Sequence, residues 1–368
     1  MISVDDRYWA EYDGLQFAKH QLLKTYLGGW FPILASWQGR VLYIDCHAGR
    51  GRHKTGDEGS PILALRLLLE HKHRARILSS TEVHFFLFEI DQKNYSELCS
   101  QIQAFGDLPK NIYVHAHQED YESHLKASIE ELRANRLQFA PSFAFVDPFG
   151  FTISMAFLND LLSFPRCELL INFMYRYIDM AIHQEVQARN MDDLFGCSDW
   201  RALVSIQDAR LRAQETISLF SRQLAAQHVT HMHMMGDNNA LKYVLIHATN
   251  HEKGRQLMKQ AVWSVTPEGA FAAHEGHSPD QLVLIVPEPD LLPLQRSLKA
   301  AFDGQTIRLR QLYEWLLPQI YLPKHLHQTL KALQSEGLVD FTGYEGGFAF
   351  MKDPLVTFIV TPPASEVR

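Results

Sequence analysis

The sequence has no apolar run close to the roughly 20 residues that a membrane-spanning helix needs. Its first residues are acidic and lack the apolar core of a signal peptide. Only four cysteines occur in 368 residues (Cys46, Cys99, Cys167 and Cys197), and no two of them form a CxxC pair. A zinc site or a disulfide framework is therefore not expected. These absences predict a cytoplasmic protein that spans no membrane, holds no metal and keeps its cysteines reduced.

A basic excess is missing as well, because the formal net charge at pH 7 is −7. Binding of nucleic acid would therefore have to come from a local patch. The sequence also contains no GxSxG nucleophile elbow, no P-loop of the GxxxxGKS or GxxxxGKT type and no HExxH zinc helix. His231 and His233 have no carboxylate or cysteine partner at ligand spacing. A polar strand or loop is the favoured interpretation of that histidine segment.

What the sequence does contain is an alternation of apolar β-type runs and amphipathic helical stretches, which begins after a predicted helix over Gly14–Ser36. Strands that are apolar throughout, each followed by a helix, predict an α/β fold with a parallel, Rossmann-like sheet covered on both faces. The predicted strands are Val41–Asp45, Val83–Glu89, Ile112–His115, Phe143–Asp147 and Leu169–Asn172. The predicted helices between them are Pro61–Lys72, Asn94–Phe105, Tyr121–Asn135 and Ser154–Ser163.

The second half of the chain predicts a helical insertion over residues 177 to about 230 and a change of pattern near residue 290, where prolines cluster. Beyond that junction, two helices and a hairpin with a Gly-Gly turn have the outline of a winged helix. We therefore predict two domains, residues 1–290 and 291–368. The predicted elements are strands at Leu241–His247 and Leu282–Val286, helices at Gly254–Val265, Ile307–Leu316 and Pro323–Glu336, and a hairpin over residues 338–351.

Strand ends supply the first group of candidate site residues. Asp45 ends the first strand, and Gly49 and Gly51 follow it in a loop, as in folds whose backbone closely approaches a cofactor. Glu89 ends the second strand, where an acid can accept hydrogen bonds from ribose hydroxyls. Asp120 follows the third strand and could bind an adenine amino group. Each candidate has an alternative interpretation. The glycines can form an ordinary tight turn, and the acid at the end of the second strand can simply be solvated or be replaced in its role by Asp91. Asp120 can be the N-cap of the next helix.

The later strands supply the second group. Asp147, Pro148 and Phe149 follow the fourth strand and combine a carboxylate, a stiff turn and an aromatic ring that could stack on a flat ring. Methylation of an amino group needs a hydrogen-bond acceptor and a flat group that hold the nitrogen in line with the methyl group. Asn172 and Tyr175, just past the fifth strand, are expected to line the same edge. An ordinary strand-to-helix turn is the alternative interpretation of this loop.

Five stretches together resemble the three-Cys-motif partner protein family. They are YIDCHAGRGRH with the following GSPILAL, then FVDPFGF, INFMY, LIHATNHEKGRQLMKQAVW and the C-terminal IRLRQLYEWLLPQIYLPKHLHQTLKALQSEGLVDF. The resemblance implies a fold of the S-adenosylmethionine-dependent methyltransferase type, with Ala48 as a further residue of the cofactor loop. It also implies a partner, a three-Cys-motif radical-SAM-like protein. A single proline before Phe149 departs from the two that amino methyltransferases of nucleic acids typically carry.

Three functions follow as expectations. The first is an S-adenosylmethionine-dependent methyltransferase that acts on nucleic acid or on a product of the partner enzyme. The second is a non-catalytic adaptor that presents a target to the partner, with the winged helix binding either nucleic acid or protein. The third is a metal-dependent nuclease, in which the strand-end carboxylates would converge on a divalent ion. Those carboxylates are Asp45, Glu89, Asp120 and Asp147.

Overall fold

The structure is a computed structural model that describes residues 8–35, 39–236, 239–267, 269, 271–275, 289–341 and 353–360. The described residues group into two compact units. The larger unit comprises the described residues up to Thr266 together with 271–275, and the smaller comprises the described residues from 289 onward with Pro267 and Gly269. Among the described helices, none has both the length and the apolar character required to cross a membrane.

The larger unit is built on one sheet of eight strands in the order β3-β2-β1-β4-β5-β7-β6-β8. The first five strands in this order run parallel, β7 is antiparallel to both β5 and β6, and β8 is parallel to β6. This arrangement confirms the predicted α/β, Rossmann-like fold. The strands are β1 Gly39–Asp45, β2 Thr81–Phe88, β3 Ile112–His117, β4 Ser142–Val146, β5 Cys167–Phe173, β6 His228–Met235, β7 Leu241–Thr249 and β8 Ala272–His274.

Ten α-helices accompany the sheet within the described part of this unit. They are α1 Gly14–Leu34, α2 Ser60–Leu69, α3 Arg74–Leu78, α4 Gln92–Gln103, α5 Tyr121–Ala134, α6 Met155–Leu162, α7 Tyr175–Ala181, α8 Ala188–Phe195, α9 Ala209–Gln223 and α10 Glu252–Val265. Between β5 and β6 the chain is helical, as predicted. The short helix α3 and the strand β8 were not predicted, and β6 was expected only as a polar strand or loop at the histidine segment. The predicted strand Leu282–Val286 lies outside the described residues.

Burial explains why the central strands read as continuous apolar runs. Every residue of β4 and β5 is buried, because helices cover both faces of the sheet. On one face Tyr26 of α1 packs against Phe143, with ring centroids 5.2 Å apart, and Tyr43 packs against Phe85 at 5.5 Å. Burying each such ring contributes about 1.5–3 kcal/mol to folding. The opposite face belongs to a second apolar layer formed with α5 and α6.

The order of the strands places a topological switch between β1 and β4. From β1 the chain winds outward to β2 and β3, and it then returns to the other side of β1 to form β4 and β5. The loops after β1 and β4 therefore diverge and leave a crevice at the carboxyl ends of these strands. In open α/β sheets this crevice is where ligands bind.

The smaller unit contains three helices and a three-stranded antiparallel sheet in the order β10-β11-β9. Its elements are α11 Leu292–Phe302, β9 Thr306–Arg308, α12 Leu309–Leu316, α13 Pro323–Ser335, β10 Val339–Asp340 and β11 Leu355–Phe358. Leucines of all three helices form its core, among them Leu294, Leu312 and Leu330. Gly337 follows α13 with a φ of +70°, the left-handed conformation with which a glycine commonly ends a helix.

One expectation for this unit needs correction. The predicted helix Ile307–Leu316 begins only at Leu309, because Ile307 belongs to β9 and pairs with Val356. On α13, His325 and Thr329 are buried and face the core, so this helix offers Lys324, Gln328 and Lys331 to a partner. The turn of the predicted hairpin lies outside the described residues. The winged helix and the domain boundary at residue 290 therefore stay predictions.

Candidate functional site

A cavity of about 980 Å³ opens at the carboxyl ends of the parallel strands, at the switch between β1 and β4. Residues that follow each of the five parallel strands line it, together with residues from α1 and the segment before it. Of the predicted site residues, eight line the cavity: Ala48, Gly49, Glu89, Asp120, Asp147, Pro148, Phe149 and Asn172.

The loop after β1 lies close to the end of β2 and packs against Trp9. The Ala48 N–H donates to the Phe88 carbonyl at 2.8 Å. Gly49 has a φ of +61°, and a Cβ at this position would come within 2.2 Å of the Trp9 ring. Glycine is therefore required both by the backbone conformation and by the close approach of Trp9. The predicted cofactor loop thus lines the cavity through Ala48 and Gly49.

Two residues predicted to contact the cofactor lie beneath the loop instead. Gly51 has a φ of +79°, and a Cβ there would collide with Ile62 and Leu98, so this glycine serves packing. Asp45 is fully buried and accepts hydrogen bonds from the Tyr43 hydroxyl at 3.0 Å and the His47 N–H at 3.3 Å. Burial raises the pKa of Asp45 to about 7, against the lowering effect of its hydrogen bonds. Asp45 therefore lies beneath the loop and stabilises it through its hydrogen bonds.

The acids after β2 and β3 lie at the cavity wall. Glu89 lines the cavity and accepts a hydrogen bond from the Asp91 N–H at 2.7 Å. Asp91, the alternative ribose acid, caps α4 by accepting from the Asn94 N–H at 2.9 Å. Asp120 caps α5 in the same way, through Ser123, so the N-cap interpretation describes its contacts, although it also lines the cavity. Beside Glu89, the exposed apolar side chain of Ile90 faces the same cavity.

A buried charged group lies at the opposite wall. Lys19 of α1 donates to one carboxylate oxygen of Asp147 at 2.5 Å, and the Asn172 amide donates to the other, also at 2.5 Å. The side chains of Lys19 and Asp147 are only 4% and 15% exposed. Burial alone would raise the pKa of Asp147, but the Lys19 charge and the two hydrogen bonds hold it below its usual value. Asp147 is therefore an ionised carboxylate at the cavity.

The side-chain oxygen of Asn172 is a hydrogen-bond acceptor that receives no donor. Its Oδ1 is buried and has no hydrogen-bond partner among the described residues, whereas its amide nitrogen is used by Asp147. A buried acceptor that stays unsatisfied costs about 1–3 kcal/mol. Asn172 lines the cavity, so an N–H group of a ligand bound there can satisfy this oxygen. Asp147 and Asn172 thus present two oxygen acceptors from neighbouring strands.

Exposed flat and apolar side chains surround the mouth of the cavity. Phe149 is 58% exposed, and its ring meets the Tyr8 ring edge-to-face, with centroids 5.0 Å apart. Tyr177 and Met180 of α7 line the same cavity and are also exposed. Large apolar side chains that remain exposed at a cavity commonly mark a binding surface. Here they suit a flat ring.

Tyr175 was predicted to line the cavity, but the structure directs it elsewhere. Its hydroxyl donates to Asp179 at 3.1 Å, and Arg212 donates to the same carboxylate at 2.7 Å. Tyr175 contributes to a second groove on the far side of α7. The side chain that follows it, Arg176, lines both the cavity and this groove.

The second groove has a volume of about 1730 Å³ and continues from the cavity through Arg176 and Lys242. Lys242 is paired with Glu275 at 2.6 Å. Arg176, Arg210 and Arg222 line the groove, are exposed and have no ion pair among the described residues. The groove is thus cationic although the whole chain is acidic.

Two of the groove's histidines, His231 and His233, belong to β6. Burial lowers the pKa of His231 to about 4 and also lowers that of His233, so both are neutral near pH 7. The segment is a strand, in agreement with the interpretation favoured from the sequence.

Two outcomes concern the site as a whole. The four carboxylates considered for a nuclease do not form a metal-binding cluster in the part of the chain that the structure describes. Lys19, the partner of Asp147, was not identified from the sequence. The signal was present, since a lysine stands on a helix face otherwise formed by Leu15, Leu22 and Leu23.

No protein-family model and no curated protein matches the chain. Several solved structures are similar. Trm1 from Pyrococcus horikoshii in complex with S-adenosyl-L-methionine is 14% identical over 94% of this chain and 91% of its own, with a TM-score of 0.37. SAH-bound methyltransferase PaMTH1 from Podospora anserina is 13% identical over 61% and 78%, with a TM-score of 0.29. The cyclopropane synthase MmaA2 from Mycobacterium tuberculosis is 9% identical over 73% and 81%, with a TM-score of 0.28.

Proposed function

We propose that this protein is an S-adenosylmethionine-dependent methyltransferase that modifies an amino group of a nucleic acid base. The observation that carries the proposal is the cavity at the β1–β4 switch, where a glycine loop, a strand-end acid and a pair of oxygen acceptors meet. The resemblance to the three-Cys-motif partner family, and with it a radical-SAM-like partner, belongs to the same proposal.

The residues after β1, β2 and β3 fit the cofactor. Gly49 lines the cavity with its backbone, and its positive φ and close packing against Trp9 exclude a side chain at this position. Glu89 is placed to accept hydrogen bonds from ribose hydroxyls. Ile90 offers an apolar surface to a flat adenine ring, and Asp120 offers an acceptor to its amino group. When bound, S-adenosylmethionine supplies a methyl group whose bond to the charged sulfur breaks, leaving the electron pair on sulfur, as an acceptor nitrogen forms the new N–C bond.

The residues after β4 and β5 would orient the acceptor nitrogen. An amino group has two N–H donors, and the carboxylate of Asp147 and Oδ1 of Asn172 can accept one each. Phe149 would stack against the ring that carries the amino group. Held in this way, the nitrogen directs its lone pair away from the two oxygens. Correct orientation of a nucleophile is among the largest contributions to catalysis.

The ion pair with Lys19 decides which role Asp147 can take. A carboxylate whose pKa is held below its usual value is a weak base. Asp147 therefore acts as a hydrogen-bond acceptor that positions the amino group, and does not remove its proton before methyl transfer. The methylated nitrogen loses its extra proton to water at the cavity mouth.

The cationic groove supports a nucleic acid as the acceptor. Arg176, Arg210 and Arg222 are exposed and line a groove that adjoins the cavity, and cations that line a groove suit the phosphates of a nucleic acid strand. Phe149 and Tyr177, exposed at the mouth, suit an unstacked base. Because the base must reach the cavity, single-stranded RNA or DNA, or a flipped base, is the expected substrate.

Titration calorimetry with S-adenosylmethionine and S-adenosylhomocysteine tests the cofactor. We expect binding by the wild-type protein and at least about tenfold weaker binding by Glu89→Ala, the equivalent of about 1.4 kcal/mol. Glu82→Ala is the matched control, because Glu82 is a half-exposed acid at the other end of β2. Absence of binding by the wild-type protein would remove the proposal and leave the non-catalytic adaptor as the better hypothesis.

A further inference from the structure

Two histidines and a glutamate meet where β3 passes into α5, beside the cavity. His117 ends β3, Glu119 follows two residues later, and His124 lies in the first turns of α5. One donor atom of each side chain lies within 4.8 Å of the donor atoms of the other two. We propose that His117, Glu119 and His124 bind a divalent transition-metal ion, and that Zn²⁺ is the ion they suit best.

The distances in this cluster are close to those of an occupied site. The Nδ1 atom of His117 lies 3.3 Å from Oε1 of Glu119, and Nδ1 of His124 lies 2.9 Å from the same oxygen. Zinc bonds of about 2.0–2.2 Å in tetrahedral geometry separate neighbouring donors by about 3.4 Å. An ion can therefore replace the two contacts with Glu119, and the two imidazole donors, which lie within 4.8 Å of each other, would draw together as it binds.

The choice of ion follows from the donors. Two imidazole nitrogens and one carboxylate oxygen form a donor set of catalytic zinc sites, which leave a fourth position to water or a ligand. Mg²⁺ and Ca²⁺ prefer sites made of oxygen donors. Zn²⁺ is therefore preferred over these ions.

Aromatic packing holds the two imidazoles in place. The ring of His117 stacks on that of Phe88, with centroids 5.2 Å apart and planes 18° apart, and the ring of His124 also lies 5.2 Å from Phe88. The two imidazoles lie 4.5 Å from each other. Ligands whose orientation is fixed by packing lose little freedom when an ion binds.

The position of the cluster connects it to the cavity. Glu119 lines the cavity, and the next residue, Asp120, both lines it and caps α5. An ion held by a residue of β3 and a residue of α5 would fix the turn that carries Asp120. The inference itself needs no methyltransferase activity, so it can fail or stand independently of the proposed function. These ligands follow none of the familiar motif spacings, so no metal was expected from the sequence.

The experiment uses the full-length protein, freed of metal by a chelator and then titrated with zinc chloride by calorimetry and in thermal melts. We expect one ion per chain, a rise in Tm on zinc addition, and at least about tenfold weaker binding by His124→Ala and by Glu119→Gln. Loss of an outer-sphere partner alone typically costs about 10- to 100-fold in metal affinity, and loss of a ligand costs no less. Glu119→Gln keeps the size of the side chain, so it separates loss of a ligand from loss of packing.

His115→Ala is the matched control. His115 lies two residues before His117 on the same strand and contacts His84 at 3.0 Å, but it is not a member of the cluster. We expect it to bind zinc as the wild-type protein does. The proposal is overturned if the wild-type protein binds no zinc, or if His115→Ala weakens binding as much as His124→Ala, since the ion would then be held by surface histidines at large.

Discussion

Lys19 and Asp147, separated by 128 positions in the chain, form an ion pair of 2.5 Å between the first helix and the end of β4. The lysine is almost completely buried, and Asn172 supports the carboxylate from the neighbouring strand. This contact joins three elements at the wall of the cavity. It also fixes the charge of the residue that we place nearest to the acceptor nitrogen.

Removal of the lysine charge should be strongly destabilising. In Lys19→Met the Asp147 carboxylate loses its counter-charge while it remains mostly buried. Breaking such a pair from one side typically costs about 3–5 kcal/mol in the free energy of unfolding. Urea denaturation at pH 7 measures this loss. Lys24→Met, on the exposed side of the same helix, should change stability by less than about 0.5 kcal/mol. The double variant Lys19→Met/Asp147→Asn should recover part of the loss, and no recovery would show that Asp147 is not the reason for it.

The two oxygen acceptors should matter for turnover more than for cofactor binding. We expect Asn172→Ala and Asp147→Asn to lower methyl transfer on the order of 10²-fold, because misplacement of a nucleophile by about 1 Å has that effect. The measurement is transfer of a labelled methyl group to single-stranded RNA and DNA, beside titration with S-adenosylhomocysteine. An unchanged cofactor affinity with lost turnover supports the assignment. Equal losses in both would place these residues in the cofactor site instead.

Asp45 should make stability depend on pH in an unusual direction. Burial raises its pKa from 3.8 to about 7, so the folded state holds a proton that the unfolded state releases. The stability associated with this group is fully present below pH 3.8 and is lost as the pH rises through about 7. The side chain of Asp45→Asn cannot ionise. Its free energy of unfolding, relative to that of the wild-type protein, should therefore rise by a few kcal/mol between pH 5 and pH 9, at about 1.4 kcal/mol per pKa unit. Parallel pH profiles that differ by a constant would contradict the assignment.

The groove arginines should control binding of nucleic acid through charge. Each phosphate contact that is lost should lower the slope of log affinity against log salt by about 0.7–0.9. Arg210→Ala and Arg222→Ala are therefore expected to weaken binding of single strands of every sequence, and most at low salt. Fluorescence anisotropy at several salt concentrations is the measurement. Arg76→Ala, an exposed arginine outside the groove, should leave affinity and slope unchanged. A similar loss in Arg76→Ala would mean that the groove has no special role.

The central sheet could be predicted because its chemistry is local. β1, β4 and β5 each contain an unbroken apolar run, and an acid or a glycine marks the end of several strands, so pattern and period were sufficient. β6 was harder to predict, because its alternation of histidine and methionine gives one partly buried and one buried face without an apolar run. The pattern was nevertheless of period two, which is typical of a half-buried strand.

The errors at the site share a different cause, which is side-chain direction. Tyr175 stands close to the cavity in sequence, but it is the first residue of α7 and points to Asp179. Asp45 and Gly51 lie in the predicted loop, yet both face inward. Lys19 could not be connected with Asp147 from the sequence, because only the packing of α1 on the sheet brings them together. Position along a strand predicts the edge of the sheet but not which side chains enter the cavity.

The strand order has a consequence for how the chain is made. In the sheet β6 lies between β7 and β8, and only β7 stands between β6 and β5. Because β7 and β8 both come later in the chain, β6 is synthesised before either strand with which it pairs. As the chain leaves the ribosome, the apolar edge of β5 must therefore wait for residues 241–249 before it is covered. An uncovered edge of this kind invites pairing with other chains. A nascent chain that stalls between β6 and β7 should be the species that most needs a chaperone.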